Sequence, residues 1–180
     1  MTSDAYFAGL FDGEGSFSIQ VQIRTYKGVE NAQFNPRMTM TLKYGHECLY
    51  ELQRRFGGQV YEYDDGNARW NLSRREPLIA AAEALRPHLV IKGQICDAFL
   101  RAMECFPKTR AGVNQYGGER VWAQEDVLFV ARTALMLNPY RKSPKTRAIV
   151  DRLEAIYAEE EQNMLLDLET AAEIASETVE

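Results

Sequence analysis

Residues 16–24, SFSIQVQIR, alternate without a break. Phe17, Ile19, Val21 and Ile23 point one way; Ser16, Ser18, Gln20, Gln22 and Arg24 point the other. A period of two over nine residues fits a strand with one buried and one open face, and it does not fit a helix. A second run, residues 33–43, repeats the pattern. Met38, Met40 and Leu42 face inward there, and Asn35, Arg37, Thr39, Thr41 and Lys43 face outward. Two shorter strands, 60–63 and 69–73, flank the hairpin turn signal DDGN, with Trp70 and Leu72 inward and Arg69, Asn71 and Ser73 outward.

A sheet with one apolar face needs a cover. Ser3 can cap a helix from 4 to about 12. Residues 47–56 read as a helix stopped by Gly57-Gly58, and 77–85 as another. Pro87 can open a helix reaching about 106. Two more follow, 124–137 and 145 onward. The order predicts an α+β layer of four antiparallel strands with helices on one face and extra helices at the C-terminal end.

The open face is rich in amide, hydroxyl and Arg groups. Arg suits guanine, Gln and Asn suit adenine, and a two-stranded ribbon fits the major groove. A merely solvated face would satisfy the same pattern, so pattern alone does not name DNA. The net charge of −5 is unevenly spread. Residues 153–180 hold nine acids and no Lys or Arg, leaving 17 acids against 21 bases in residues 1–152. The body is mildly basic. Three scattered cysteines read as free thiols. The chain has neither a membrane-spanning apolar run nor a charged-then-apolar leader, which predicts a soluble intracellular protein.

FAGLFDGEG, residues 7–15, carries two glycines in a helical stretch, each costing about 0.8–1 kcal/mol relative to alanine. Gly9 and Gly13, with Ala8, clear one side of the helix for close approach of another backbone. Glu14, just beyond the helix, then lies near the packing axis. If the partner is a second copy, two Glu14 carboxylates converge. Carboxylates with nearby carbonyls suit hard cations such as Mg²⁺, which activate water and stabilise a leaving phosphodiester oxygen. The plainer alternative is that DGEG is only a tight turn.

The nine residues closely resemble the signature of the LAGLIDADG homing endonucleases: Ala8, Gly9, Leu10, Asp12 and Gly15 fit, and Phe11 and Glu14 fit conservatively. The resemblance extends over roughly residues 4–155. FGGQVY is similar to the family's link into its third strand. LRPHLVIKGQ is similar to the segment that presents an active-site lysine in single-motif, plastid-type members, and ALMLNPYRKSPKTRAIVDRL is similar to their C-terminal region.

This resemblance implies an αββαββα saddle whose sheet lies along the DNA major groove. It implies a dimer interface at Ala8, Gly9, Asp12 and Gly13, with Asp12 mainly structural at the helix end. Glu14 and the Gly13 carbonyl would bind Mg²⁺, with Mn²⁺ or Ca²⁺ able to occupy the site. Lys92 would lie near the scissile phosphate, with Lys43 and His46 as further catalytic candidates. Leu42 departs from the pattern by standing where a close relative type has an amide, and a lone histidine such as His46 also reads as a surface or capping residue.

No second AGLFDGEG-like word occurs after residue 15, so a homodimer on a pseudo-palindromic double-stranded site is expected. The predicted base-reading set is Ser18, Gln20, Gln22, Arg24, Lys27, Asn35, Arg37, Thr39, Thr41, Gln59, Tyr61, Tyr63, Arg69 and Asn71. Arg141, Lys142, Lys145 and Arg147 would grip phosphate. Residues 1–152 would form the endonuclease domain and 153–180 an acidic helical extension, with Leu153, Ile156, Tyr157, Met164, Leu165 and Leu168 as its apolar stripe. The expected activity is Mg²⁺-dependent cleavage across the minor groove, leaving short 3′ overhangs, without membrane or small-molecule cofactor. The location would be an organelle or a prokaryotic or phage cytoplasm. A cleavage-inactive maturase or DNA-binding regulator is the alternative on the same fold.

Overall fold

The computed structural model describes residues 2–26, 29–106, 123–137 and 144–177. Helix α1, Asp4–Glu14, is capped by Ser3, whose hydroxyl accepts the Tyr6 N–H at 3.3 Å. It buries Phe7, Ala8, Phe11 and Asp12. The helix continues two residues beyond its expected end, through Gly13 and Glu14, and strand β1, Gly15–Tyr26, begins at once. Space sets that junction. Gly15 has an ordinary φ of −85°, but a Cβ there would lie 2.3 Å from the Phe11 ring.

Strand β2, Val29–Leu42, pairs antiparallel with β1 from Gly15↔Met40 to Tyr26↔Val29. After helix α2, His46–Phe56, come β3, Gln59–Glu62, and β4, Ala68–Leu72. The sheet order is β1-β2-β4-β3. β4 pairs with β2 only over Met38–Leu42, so most of the β1–β2 hairpin runs on as a two-stranded ribbon. Pro36, opposite Ile19, lies on the stretch of β2 that β4 no longer covers, where a missing N–H costs no ladder bond.

Helices α3, Arg75–Leu85, α4, Gly93–Cys105, α5, Gln124–Met136, and α6, Pro144–Glu177, complete the α+β fold. The alternation puts Phe17, Ile19 and Val21 of β1, Met38 and Met40 of β2, and Trp70 and Leu72 of β4 into one core with Phe7, Phe11 and Phe99. The Phe11, Phe17 and Phe99 rings follow one another at centroid distances of 4.8 and 5.1 Å. α5 and α6 lie against β1, beneath the ribbon.

One expected element differs. Pro87 opens no long helix: Arg86–His88 is a single 3-10 turn, Leu89 is extended (φ −75°, ψ 124°), and α4 starts only at Gly93. The cause is a carboxylate on α1, described below, that claims the intervening N–H groups. At the C-terminal end α6 is one helix of 34 residues, about 51 Å long at 1.5 Å per residue. It runs unbroken through the expected boundary at 152/153, with Val150 and Leu153 buried and Ile156 and Tyr157 half-buried. The side chains of Met164, Leu165 and Leu168 lie outside the described residues. Among the described residues no helix is long and apolar enough to cross a membrane.

Gly58 carries the tightest turn. Its φ is +89°, and a Cβ there would meet the Asn71 carbonyl at 2.6 Å and the Trp70 indole nitrogen at 2.9 Å. That indole donates to the Gly57 carbonyl at 2.8 Å, fixing the α2–β3 link to the sheet. Left-handed strain of about 1–2 kcal/mol and the clash act together, so Gly58→Ala should lower stability by at least about 2 kcal/mol. Urea unfolding measures it; a loss under about 0.5 kcal/mol would refute this account of the turn.

Candidate nucleic-acid interface

Register turns the outward residues into rows across the open face. Tyr61, Arg69 and Thr41 form one row, and Gln59, Asn71, Thr39 and Ser16 the next. Along the ribbon Arg37 stands opposite Ser18, Asn35 opposite Gln20, and Gln33 opposite Gln22. Gln20, Arg24, Arg37, Gln59, Tyr61, Tyr63 and Arg69 are exposed; Ser18, Gln22, Asn35, Thr39, Thr41 and Asn71 are half-buried between neighbours. Arg37 Nη2 donates to Gln20 Oε1 at 3.3 Å, and Arg69 Nε to Thr41 Oγ1 at 3.1 Å. The Tyr61 hydroxyl donates to Gln59 Oε1, and the Arg69 guanidinium lies 5.9 Å from the Tyr63 ring centre.

The cross-links hold long polar side chains in place while leaving further donors and acceptors pointing outward. Gln33 belongs to this face but was not in the predicted set; the same alternation carries it. Lys27, Arg141 and Lys142 lie outside the described residues. Lys145 and Arg147 are exposed at the start of α6.

The C-terminal end of α1 forms the second part of the site. Gly13 and Glu14 are exposed, and a Cβ at Gly9 or Gly13 would meet nothing within 4 Å. The glycines therefore leave a furrow along the outer side of the helix. Two of the residues expected there are elsewhere. Ala8 is 0% exposed, sharing the core-facing side with Phe7 and Phe11, and so has no side chain to offer a partner. Asp12 also turns inward, where its carboxylate is taken by the backbone N–H groups of Val90 at 2.7 Å, Ile91 at 3.1 Å and Lys92 at 2.8 Å. Burial pushes the Asp12 carboxyl upward, but the three N–H donors and Lys92 outweigh it, and the net displacement is downward.

Lys92 returns the contact. Its ammonium donates to the Phe11 carbonyl at 2.9 Å and to the Asp12 carbonyl, capping the helix end where a cation is favoured. Burial lowers the Lys92 ammonium below the usual lysine range, against the opposing pull of Asp12 and Glu14. Lys92 and Glu14 thus occupy one corner of the protein. Lys43 is exposed just past the end of β2, and its carbonyl lies by His46 and the β3–β4 turn. Its ammonium lies 5.9 Å from the Tyr44 ring centre.

His46 stands at the start of α2. Its Nε2 is 3.2 Å from the Lys43 carbonyl and 3.1 Å from the Gly66 carbonyl, and its Nδ1 is 3.6 Å from Glu62 Oε1. Through Nε2, His46 braces the start of α2 against the β3–β4 turn.

The donor set at the helix end is hard: the exposed Glu14 carboxylate and the last-turn carbonyl of Gly13, one of those a helix leaves without an intrahelical donor. It suits a small oxygen-loving cation. Among the described residues no three His, Cys, Asp or Glu side chains gather as a metal site within one chain. One carboxylate per chain leaves the set incomplete without a second source of oxygen.

Residues 7–85 match the family model described as LAGLIDADG endonuclease. Solved structures share the fold. The homing endonuclease I-TnaI matches with a TM-score of 0.65 and 19% identity, over 84% of this chain and 98% of that one. The homing endonuclease I-CvuI, solved in complex with its target in the presence of Ca, matches at 0.60 and 20%, over 84% and 94%. I-SmaMI, a LAGLIDADG homing endonuclease bound to cleaved DNA, matches at 0.64 and 17% over 85% of this chain but 49% of its own. No curated protein sequence matches. With its motif forming α1 and its strands ordered β1-β2-β4-β3, the chain carries a LAGLIDADG endonuclease match over residues 7–85 and shares the fold of the solved LAGLIDADG homing endonucleases.

Proposed function

We propose that this chain is a site-specific DNA endonuclease that acts as a homodimer on a pseudo-palindromic double-stranded site, with Mg²⁺ as its working cation. The observation that carries this reading is the end of α1: exposed Glu14 and Gly13 stand beside an open furrow, at the head of a sheet whose whole outer face is polar. Two copies packed along that furrow bring two carboxylates together and set two polar faces in line. The match to only 49% of I-SmaMI supports a requirement for two such chains.

In this reading Glu14 and the Gly13 carbonyl hold the cation, which when bound supplies an activated water and stabilises the leaving oxygen. Asp12 contributes no ligand, because its oxygens are engaged by N–H groups. Lys92, at the same helix end, offsets negative charge near the phosphate. The base-reading rows set register through Arg, Gln and Asn. Arg141, Lys142, Lys145 and Arg147 add affinity through phosphate, which salt weakens. Cleavage across the minor groove would leave short 3′ overhangs.

Selection of cut sites from a randomised DNA library in Mg²⁺ tests the reading. The expected yield is one family of pseudo-palindromic sites with 3′ overhangs and no cutting in EDTA. Sites bound tightly but never nicked would instead identify a binding protein on this fold, a maturase or regulator.

A further inference from the structure

The open face of the sheet is poor in acceptors, and two of those it has are spent on its own arginines. Among the described residues of the four strands, none of the outward side chains is a carboxylate. Accepting therefore falls to amide and hydroxyl oxygens. Gln20 faces Asn35 across the ribbon and Ser18 faces Arg37, so Arg37 stands on the diagonal from Gln20. Long side chains reach across such a diagonal. Arg37 Nη2 does so and donates to Gln20 Oε1 at 3.3 Å. Arg69 treats Thr41 in the same way, Nε donating to Oγ1 at 3.1 Å.

The Arg37 bond fixes which way the Gln20 amide points. A guanidinium only donates, so the atom facing it is the amide oxygen; a flipped amide would set N–H against N–H. Both side chains are exposed. What the pair offers a ligand is the Gln20 Nε2 amino group and the remaining N–H groups of the Arg37 fork, which are all donors. A glutamine with both atoms free pairs with adenine, donating to N7 and accepting from the N6 amino group. That pairing needs Oε1 on the base edge, and here an adenine amino group beside Oε1 would meet the N–H groups of Arg37. Guanine is the base whose major-groove edge accepts at two neighbouring atoms, N7 and O6.

We infer that Gln20 and Arg37 act as one donor unit that selects a G·C pair in each half of the target, and that Arg37 thereby turns Gln20 away from adenine. The inference rests on the site-specific DNA reading and deepens it by one base pair. Arg37 sets specificity twice in this arrangement, through its own donors and through the orientation it imposes on its neighbour.

Sequencing of duplexes that the full chain retains from a randomised library in EDTA tests the assignment. Gln20→Ala marks the base pair that Gln20 reads, as the position where selection is lost. Wild type should prefer G·C over A·T there by at least about tenfold. Arg37→Ala frees Oε1 and should lower that ratio at least about tenfold, moving the position toward A·T although Gln20 itself is unchanged. Should that variant fail to fold, Arg37→Met, of similar reach and without donors, is judged on the same scale. If wild type prefers A·T at that position, or Gln20→Ala alters no position, this inference falls and the site-specific reading stands. An Arg37→Ala chain that binds more weakly but keeps the G·C preference shows that Arg37 does not set Gln20, and overturns it equally. A wild-type chain that retains no common sequence removes the site-specific reading, and this inference with it.

Discussion

Glu14→Gln should reduce Mg²⁺-dependent DNA cleavage by roughly 10³-fold or more while leaving DNA affinity within a few-fold of the original. The substitution keeps size and removes only the charge. Glu14 is exposed at the last position of α1, so folding loses little, typically within about 0.5 kcal/mol. What disappears is the strongest hard donor at the helix end, and in a homodimer it disappears twice. The change also takes negative charge away from approaching phosphates, so binding should hold or tighten. Plasmid nicking at a selected site in Mg²⁺, set beside binding in EDTA, separates the two effects. An unimpaired cutting rate would show that Glu14 holds no essential cation. A parallel loss of binding would place it in DNA recognition.

Local periodicity made the sheet legible before any coordinates. Phe17, Ile19, Val21 and Ile23 declare a strand through their own spacing, and the rows across the open face follow once Gly15 meets Met40. The furrow was partly legible, because glycines at i and i+4 share a helix face. Ala8 follows Gly9 closely in sequence but not in space: one step along a helix turns about 100°, which carries Ala8 from the Gly9 side to that of Phe7 and Phe11. The end of α1 was misread, since Asp-Gly-Glu-Gly has turn composition. Its correction comes from Lys92, 80 and 81 residues away from the carbonyls it caps. No local pattern announces such a partner. The same holds for His46, whose contact with Gly66 depends on where the β3–β4 hairpin lands.

That long-range clasp supports the largest stability prediction. Asp12→Ala should destabilise the fold by about 3 kcal/mol, because it strips the acceptor from three N–H groups at once and leaves Lys92 without its nearest carboxylate. A single buried hydrogen bond to a charged group is worth about 1.5–3 kcal/mol; partial rehydration of the exposed Val90–Ile91 backbone keeps the total below three such bonds. The effect depends on pH in a fixed direction. The folded Asp12 carboxyl lies below the ordinary carboxylate range, so its contribution is complete above that range and fades as pH falls through its own lower value. Urea unfolding at neutral and at acid pH should therefore show wild type and Asp12→Ala far apart in the first case and converging in the second. Asp12→Asn, which keeps one acceptor oxygen without the charge, should fall between them at neutral pH. A difference below about 1 kcal/mol at neutral pH would mean that residues 89–92 hold their place without α1. The corner that joins Glu14 and Lys92 would then lose its mechanical basis.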